Sequence, residues 1–344
     1  MRSLKTIVAR LIQTLLVVVT VAAFTGCVWQ SYASRRDAER FPPPGTLVNI
    51  GKHRLHIDCR GSGKPTLLLE SGAQLWSSGW RHIHESLAGH YRVCAYDRSG
   101  LGWSDAGTLP YDAEQAVLEL KSLLDTARVD RPFVFVGHSY GGMLARVYHR
   151  RYPGEMAAAV YIDSGEPEML IEDFAAKRND EIRPCGFTCQ MNIFAARLGI
   201  VRIVLNNLDT LDDPRLPGDA VAEFRALAPR PQSIKASLLI ARHMPSAAFQ
   251  TLDAGHIADL PVLVIYSGNY GELVSEGETP AEMARWRARY LGHWTDAVDA
   301  SPDGVGPIEI AGANHLTVIA YREPAQLVSR EISRFIDDRF GPQE

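Results

Sequence analysis

The sequence predicts an α/β fold, with a mainly parallel central sheet, helices on both faces and a helical cap inserted between two late strands. Three observations carry that expectation. Short, continuous apolar runs alternate with amphipathic helical stretches, and such runs suit strands covered on both faces. The pentapeptide Gly137-His138-Ser139-Tyr140-Gly141 stands where one run ends and a helix begins. Finally, the stretch from Ser164 to about Gly255 breaks the alternation with helical patches, several prolines and no clear strand. It is too long for a loop, so it reads as a separate helical insertion.

Taken in order, the chain opens with Arg2, Lys5 and Arg10 ahead of an uncharged, mostly apolar run from Leu11 to Trp29. A basic segment before an apolar core reads as a bacterial export signal, and the run is also near the minimum length of a spanning helix. Phe24-Thr25-Gly26-Cys27 resembles a lipoprotein signal box, in which Cys27 is lipidated and becomes the first residue. A cleaved lipoprotein, an uncleaved anchor and a plain secreted protein all fit residues 1–29. Arg35, Arg36 and Arg40 balance the basic residues before the run, so charge does not orient it. Each version places the remainder outside the cytoplasm, membrane-tethered or periplasmic in a bacterial envelope. Residues 30–45 read as a linker, stiffened by Pro42, Pro43 and Pro44.

Strands follow at Leu47–Ile50 and Arg54–Cys59, joined by a turn at Gly51 and Lys52, then at Thr66–Glu70 and Tyr91–Tyr96. Ala116, Leu120, Leu123, Leu124 and Ala127 recur at helical spacing between Ala113 and Ala127. Phe133–Val136 is the next strand, and a helix starts just past Ser139 and runs to about Tyr152. Strands at Ala157–Ile162, Val262–Tyr266 and Ile308–Ile310 and a last amphipathic helix from about Glu323 to Phe340 complete the pattern. The expected division is a core over 46–163, a cap over 164–255 and the rest of the core over 256–344. In the cap, Met169, Leu170, Phe174, Phe187, Met191, Ile193 and Phe194 suggest an apolar pocket lining, although such residues must also pack the cap itself.

Composition excludes several classes. Of 344 residues, 46% are apolar and 22% charged, which is ordinary for a globular protein and unlike a disordered chain, a collagen or a polytopic membrane protein. The net charge is −4 and no basic stripe is visible, so nucleic acid is not an expected partner. The 11 histidines are scattered without an H-E-x-x-H or paired C-x-x-C pattern, so no metal site is expected. His82 and His84 are read as residues of a surface helix, not as ligands. Beyond Cys27, the four cysteines Cys59, Cys94, Cys185 and Cys189 are an even set that suits an oxidising compartment; pairing and four free thiols both remain open.

The chemistry centres on Ser139. A serine on a sharp strand-to-helix turn needs neighbours without bulk two residues to either side, and Gly137 and Gly141 supply them. The helix behind it presents backbone N–H groups and a partial positive charge to a developing oxyanion. With this elbow, Val136-Gly137-His138-Ser139-Tyr140-Gly141-Gly142, and with Asp97-Arg98-Ser99-Gly100-Leu101-Gly102-Trp103-Ser104, similar to a D-R-x-G-x-G-x-S segment, the chain resembles the α/β-hydrolase superfamily over roughly residues 45–340. The N-terminal apolar run and Pro43-Pro44-Gly45 resemble its membrane-associated bacterial, esterase-like members.

That resemblance implies the remaining roles. A serine needs a base, and the superfamily places a histidine after the last strand, where Gly312-Ala313-Asn314-His315 stands with Pro324 beyond it. For the acid two family positions are open. Asp163 ends the strand after the elbow helix, and Glu272 follows the penultimate strand one residue beyond the usual position. Backbone N–H groups of Tyr140 and Ala73 match the oxyanion hole, although Ser71-Gly72 replaces the His-Gly of many relatives. His138 is expected to pack beneath the turn, and Trp76 and Trp80 either line the mouth or pack the core. The implied function is a serine hydrolase that cleaves an ester, or an amide, of a small apolar molecule through an acyl-enzyme, without cofactor or metal. The serine argues against the chemistry of haloalkane dehalogenases and soluble epoxide hydrolases, whose related folds carry Asp at the elbow. A cofactor-free haloperoxidase-like activity and a non-catalytic, ligand-binding α/β-hydrolase remain as alternatives.

Overall fold

In a computed structural model of the full chain, the described residues are 2–176, 186–208, 211, 213–269 and 279–341. The strands are β1 (Thr46–Asn49), β2 (Arg54–Arg60), β3 (Leu67–Glu70), β4 (Val93–Tyr96), β5 (Phe133–His138), β6 (Met156–Ile162), β7 (Val262–Ser267) and β8 (Val305–Ile310). They form an eight-stranded sheet in the order β1-β2-β4-β3-β5-β6-β7-β8, with β1, β2 and β4 paired antiparallel and every later pairing parallel. The helices are α1 (Arg2–Arg40), α2 (Arg81–Leu87), α3 (Ala113–Thr126), α4 (Tyr140–Arg151), α5 (Pro167–Ala176), α6 (Phe187–Arg197), α7 (Ile200–Asn206), α8 (Gly218–Leu227), α9 (Pro231–Ala254), α10 (Pro280–Ala300), α11 (Thr317–Ala320) and α12 (Arg322–Phe340).

Because strand side chains alternate, each central strand feeds two cores. Leu68 and Phe135 join the side chains of α3 and α4, whereas Leu67, Leu69 and Val136 meet those of α2 and α12. This is why the strands read as unbroken apolar runs. The chain passes from β3 outward to β4 on one side, and from β5 outward to β6 on the other. The carboxyl ends of the adjacent strands β3 and β5 therefore flank the switch point at which open α/β sheets form their crevice.

Helices α5–α9 form the cap insertion between β6 and β7. The long α9 packs on α5 and α6 and also on α3 and α4, so it ties the cap to the sheet layer. Between β7 and β8, α10 has no counterpart in the sequence reading. It starts at a capping box, in which the Thr279 hydroxyl accepts from the Glu282 N–H and the Glu282 carboxylate accepts from the Thr279 N–H.

The structure corrects three expectations. The stretch 30–45 is not a linker throughout, because α1 continues to Arg40 and only residues 41–45, with the proline cluster, lie outside the helix. Tertiary contacts hold that second half in place: Arg202 donates to Gln30 Oε1 (2.9 Å) and pairs with Asp37 (2.6 Å). His82 and His84 do not face solvent but are buried, because α2 lies beneath β4 and α12, where the His84 Nε2–H donates to Val93 O (3.0 Å). In the cap, Met169 and Ile193 are buried and Leu170 lines a cavity, but Phe187, Met191 and Phe194 point to solvent instead of a pocket. Cys59 and Cys94 are cross-strand partners of β2 and β4 and form a disulfide. Cys189 is disulfide-bonded as well, and Cys185 lies outside the described residues.

Candidate active site

Ser139 occupies the turn between β5 and α4 with φ 55°, in the left-handed region that non-glycine residues avoid. The turn closes because nothing obstructs it. A Cβ on Gly137 would lie 2.5 Å from the Gly141 carbonyl carbon, and one on Gly141 would lie 2.3 Å from Glu70 O. Backbone bonds then hold the strained residue, with Ser139 N–H donating to Ile162 O (3.0 Å) and its carbonyl accepting from Gly165 N–H (3.1 Å).

The loop between β8 and α11 brings His315 to this turn, with Nε2 2.9 Å from Ser139 Oγ. Two devices set that loop. Asn314 Oδ1 accepts from the N–H groups of Leu316 (3.0 Å) and Thr317 (2.8 Å), and His138 Nε2–H donates to the His315 carbonyl (2.8 Å). His138 packs beneath the turn, fully buried. Burial and the neighbouring His315 push its pKa down to about 3, which keeps this imidazole neutral.

Asp163 follows β6, also at positive φ (44°), and its Oδ2 lies 3.4 Å from His315 Nδ1. Ser267, at the end of β7, donates to the same carboxylate from its backbone N–H (2.9 Å) and from its hydroxyl. Burial disfavours the charge on Asp163, but the hydrogen bonds from His315 and Ser267 outweigh it and hold the pKa below the usual carboxylate value. Ser139, His315 and Asp163 thus stand in one line of contacts. Glu272, the other acid candidate, lies outside the described residues. The sequence reading missed Ser267 and Asn314. The nearest sequence signals were the Ser267-Gly268 end of a strand and the Asn before the histidine.

The loop after β3 carries Ala73. Its three carbonyls are gathered by one guanidinium: Arg98 donates to Ser71 O (2.7 Å), to Gly72 O and to Ala73 O (3.1 Å), and pairs with the buried Glu70. The Gly72–Ala73 peptide is trans, so the Ala73 N–H points away from the side on which Arg98 holds the Gly72 carbonyl. Tyr140 heads α4, where a backbone N–H has no carbonyl one turn earlier to bond. The rest of the Asp97–Ser104 segment is scaffold. Buried Asp97 accepts from the N–H groups of Ser77 (2.8 Å) and Trp103 (2.9 Å) and contacts His56 Nδ1 (3.0 Å).

A cavity of about 210 Å³ joins Ala73, Ser139, Tyr140, Asp163 and His315 to the apolar side chains of Met143, Leu170, Met244 and Trp294. On the other side of the His315 loop, a larger cavity of about 990 Å³ runs between that loop and α8, lined by Trp76, Leu216, Val221, Phe224, Leu316 and Tyr321 among others. Trp76 stacks on Phe224 there, whereas Trp80 is wholly buried and donates to Ser71 Oγ (2.9 Å). Among the described residues, no cluster of His, Cys, Asp and Glu is arranged to hold a metal ion.

Known proteins share this architecture. The pattern of the Alpha/beta hydrolase family matches residues 53–330. An AB hydrolase superfamily protein of Gibberella zeae is 36% identical over 126 residues, which cover 34% of this chain and 39% of that protein. Epoxide hydrolase 2 of Siraitia grosvenorii is 31% identical over 183 residues, 50% of this chain and 57% of that protein. The chain therefore spans less than two thirds of the length of either curated relative. The solved structure of potato (Solanum tuberosum) epoxide hydrolase I, 18% identical, superimposes with a TM-score of 0.65 over 85% of this chain and 98% of that one, which is a likeness of fold. With the sheet order, the elbow and a family match over most of its length, the chain belongs to the alpha/beta hydrolase family.

Proposed function

We propose that the protein is a serine hydrolase that cleaves the ester bond of a small apolar molecule, or less readily an amide, through an acyl-enzyme, with Ser139 as nucleophile, His315 as base and Asp163 as acid. The observation that carries this reading is the contact of Ser139 Oγ with His315 Nε2 (2.9 Å), backed by Asp163 on the far ring nitrogen. His315 Nε2 takes the hydroxyl proton as Oγ bonds to the acyl carbon. The oxyanion forms against the N–H groups of Tyr140 and Ala73. The bond to the leaving oxygen then breaks, and that oxygen receives the proton from His315. Water repeats the sequence on the acyl-enzyme and frees the acid. Asp163 keeps the Nδ1 proton in place and stabilises the imidazolium.

The epoxide hydrolase names among the relatives suggest a second reading, but the elbow residue disfavours it. A serine that opened an epoxide would be left as an ether, which water does not cleave under these conditions, whereas an acylated serine is an ester that it does. The apolar lining of both cavities supports an apolar substrate, with the cap insertion as its cover. The N-terminal part of α1, with an 18-residue window of mean hydropathy 2.2 and none of it buried, serves as a membrane tether or export signal in this reading.

The test is a fluorophosphonate probe on the full-length protein beside Ser139→Ala, together with hydrolysis of short-chain aryl esters. Labelling and turnover that both vanish in the variant are expected. A folded wild-type protein that resists the probe would replace this proposal with the ligand-binding alternative.

A further inference from the structure

The cap carries an apolar surface that the mechanism does not use. On α6, Phe187, Met191 and Phe194 follow one another at helical spacing, and on α7 so do Ile200, Ile203 and Val204; all six are exposed, Phe187 to 82% and Ile203 to 54%. The opposite faces of these helices hold the buried Ile193, Ala196 and Arg202. An apolar stripe turned outward departs from the usual surface helix, which turns its polar face outward, and α6 is apolar on its buried face as well. An apolar patch of this kind on a water-facing surface marks a site of contact.

Its position says what covers it. The corner between the two helices, Leu198-Gly199, sits directly on α1. A Cβ on Gly26 would lie 2.7 Å from Leu198 O, and one on Gly199 would lie 2.4 Å from the Trp29 ring. Gly26 and Trp29 mark the end of the apolar run of α1, beyond which Arg35, Arg36 and Arg40 follow. The bonds from the buried Arg202 to Gln30 and Asp37 fix the helix to the cap at this level. The two exposed apolar stripes therefore flank the point at which α1 changes from apolar to charged, the level of a membrane–water boundary with its tryptophan. We propose that the α6–α7 corner is a second membrane contact, which lays its apolar face into the interface of the same lipid bilayer that α1 enters. This rests on the reading of α1 as a membrane tether. Helices that present an apolar face to a bilayer without spanning it lie in the plane of the interface, with that face sunk below the headgroups.

The experiment uses the full chain with Cys27→Ser, reconstituted in phosphatidylcholine–phosphatidylglycerol vesicles, and a nitroxide on Ile203→Cys. Separate samples carry the nitroxide on Val18→Cys in α1 and on the exposed Leu118→Cys of α3. Collisions with oxygen and with a water-soluble nickel chelate are measured by spin resonance. The expected result at 203 is that of 18: oxygen-rich and nickel-poor, opposite to 118. If 203 behaves like 118 while 18 remains in lipid, the contact is overturned and the tether stands. If 18 and 203 both behave like 118, the tether reading falls with it. If 203 is shielded from both reagents, the patch is a protein contact with a second copy, and the proposal is likewise overturned.

Discussion

Ser139 and Asp163 each hold a positive φ, and each is kept there by bonds to neighbouring strands: Ser139 N–H to Ile162 O and Asp163 N–H to Ile265 O. A non-glycine residue in such a region costs on the order of 1–3 kcal/mol, a cost accepted where a side chain must be aimed. The aim of Asp163 is His315 Nδ1, and its other bonds come from Ser267. Asp163→Asn removes the acceptor that selects the His315 tautomer. The variant is expected to lose roughly 10⁴-fold in kcat, as such enzymes do when this residue is neutralised, with a much smaller effect on KM. Glu272→Gln should stay within a few-fold of wild type. Steady-state kinetics on an aryl ester checks both, and the reverse pattern would transfer the acid role to Glu272. The elbow serine was legible because it follows a strand end between glycines, and the histidine because the family resemblance points to the loop after the last strand. Ser267 was not, because its part depends on β6 and β7 being neighbours in the sheet.

Arg98, from the loop after β4, pins the loop after β3 by collecting three of its carbonyls. Glu70 neutralises the guanidinium, and the Tyr140 ring lies against it at 5.3 Å. Replacing Arg98 alone would strand the buried Glu70 carboxylate, so the informative variant is Arg98→Gln with Glu70→Gln. Freed of its clamp, the Ala73 peptide should lose its orientation. A fall in kcat of roughly 10²-fold or more is expected, the scale of a lost oxyanion donor, while the thermal midpoint changes little. A folded double variant with wild-type kcat would show that Arg98 does not set this donor. Arg98 was visible as part of a D-R-x-G-x-G-x-S segment, but its partners lie on a loop more than twenty residues away in sequence and only the β3–β4 pairing brings them together. The helices of the cap are a similar case. That the stretch is helical was legible in its sequence, but neither the number of helices nor which faces turn inward was, because Phe187, Met191 and Phe194 read the same whether they line a pocket or face outward.

Two buried groups impose opposite pH dependences on the whole molecule. His138 titrates at about 3 in the folded protein against an ordinary 6.5, because burial and His315 disfavour its cation. As pH falls through 6.5 the unfolded chain takes up a proton that the folded one refuses, so stability is lost between pH 6.5 and about 3. Glu166 moves the other way, raised by burial to about 8 from an ordinary 4.5, although Arg146 opposes the shift. Its folded form keeps a proton that the unfolded chain releases, so its contribution is whole below pH 4.5 and lost as pH rises to 8. Each slope is at most about 1.4 kcal/mol per pH unit. Of these two, which oppose each other between pH 4.5 and 6.5, only Glu166 contributes above 6.5. The thermal midpoint should therefore fall between pH 6.5 and 8 in the wild type, and this fall should be smaller in Glu166→Gln. An unchanged pH slope in the variant would contradict the assignment.

By itself the sequence determined the α/β class, the order of the strands along the chain and the strand-to-helix elbow around Ser139, while His315 as its partner was what the family resemblance implied. The class, the strand order and the elbow are written in local pattern: unbroken apolar runs, and glycines where a Cβ would collide. The tertiary structure decided what local pattern cannot hold. It placed β3 beside β5, which opens the crevice; it gathered Asp163, Ser267 and His315 from three strand ends; it turned His82 and His84 inward beneath β4; and it carried α1 past its apolar run to dock on Arg202. The reason is the same in every instance. Burial and hydrogen-bond partners are properties of neighbours in space, and in this protein those neighbours lie tens to hundreds of residues apart along the chain.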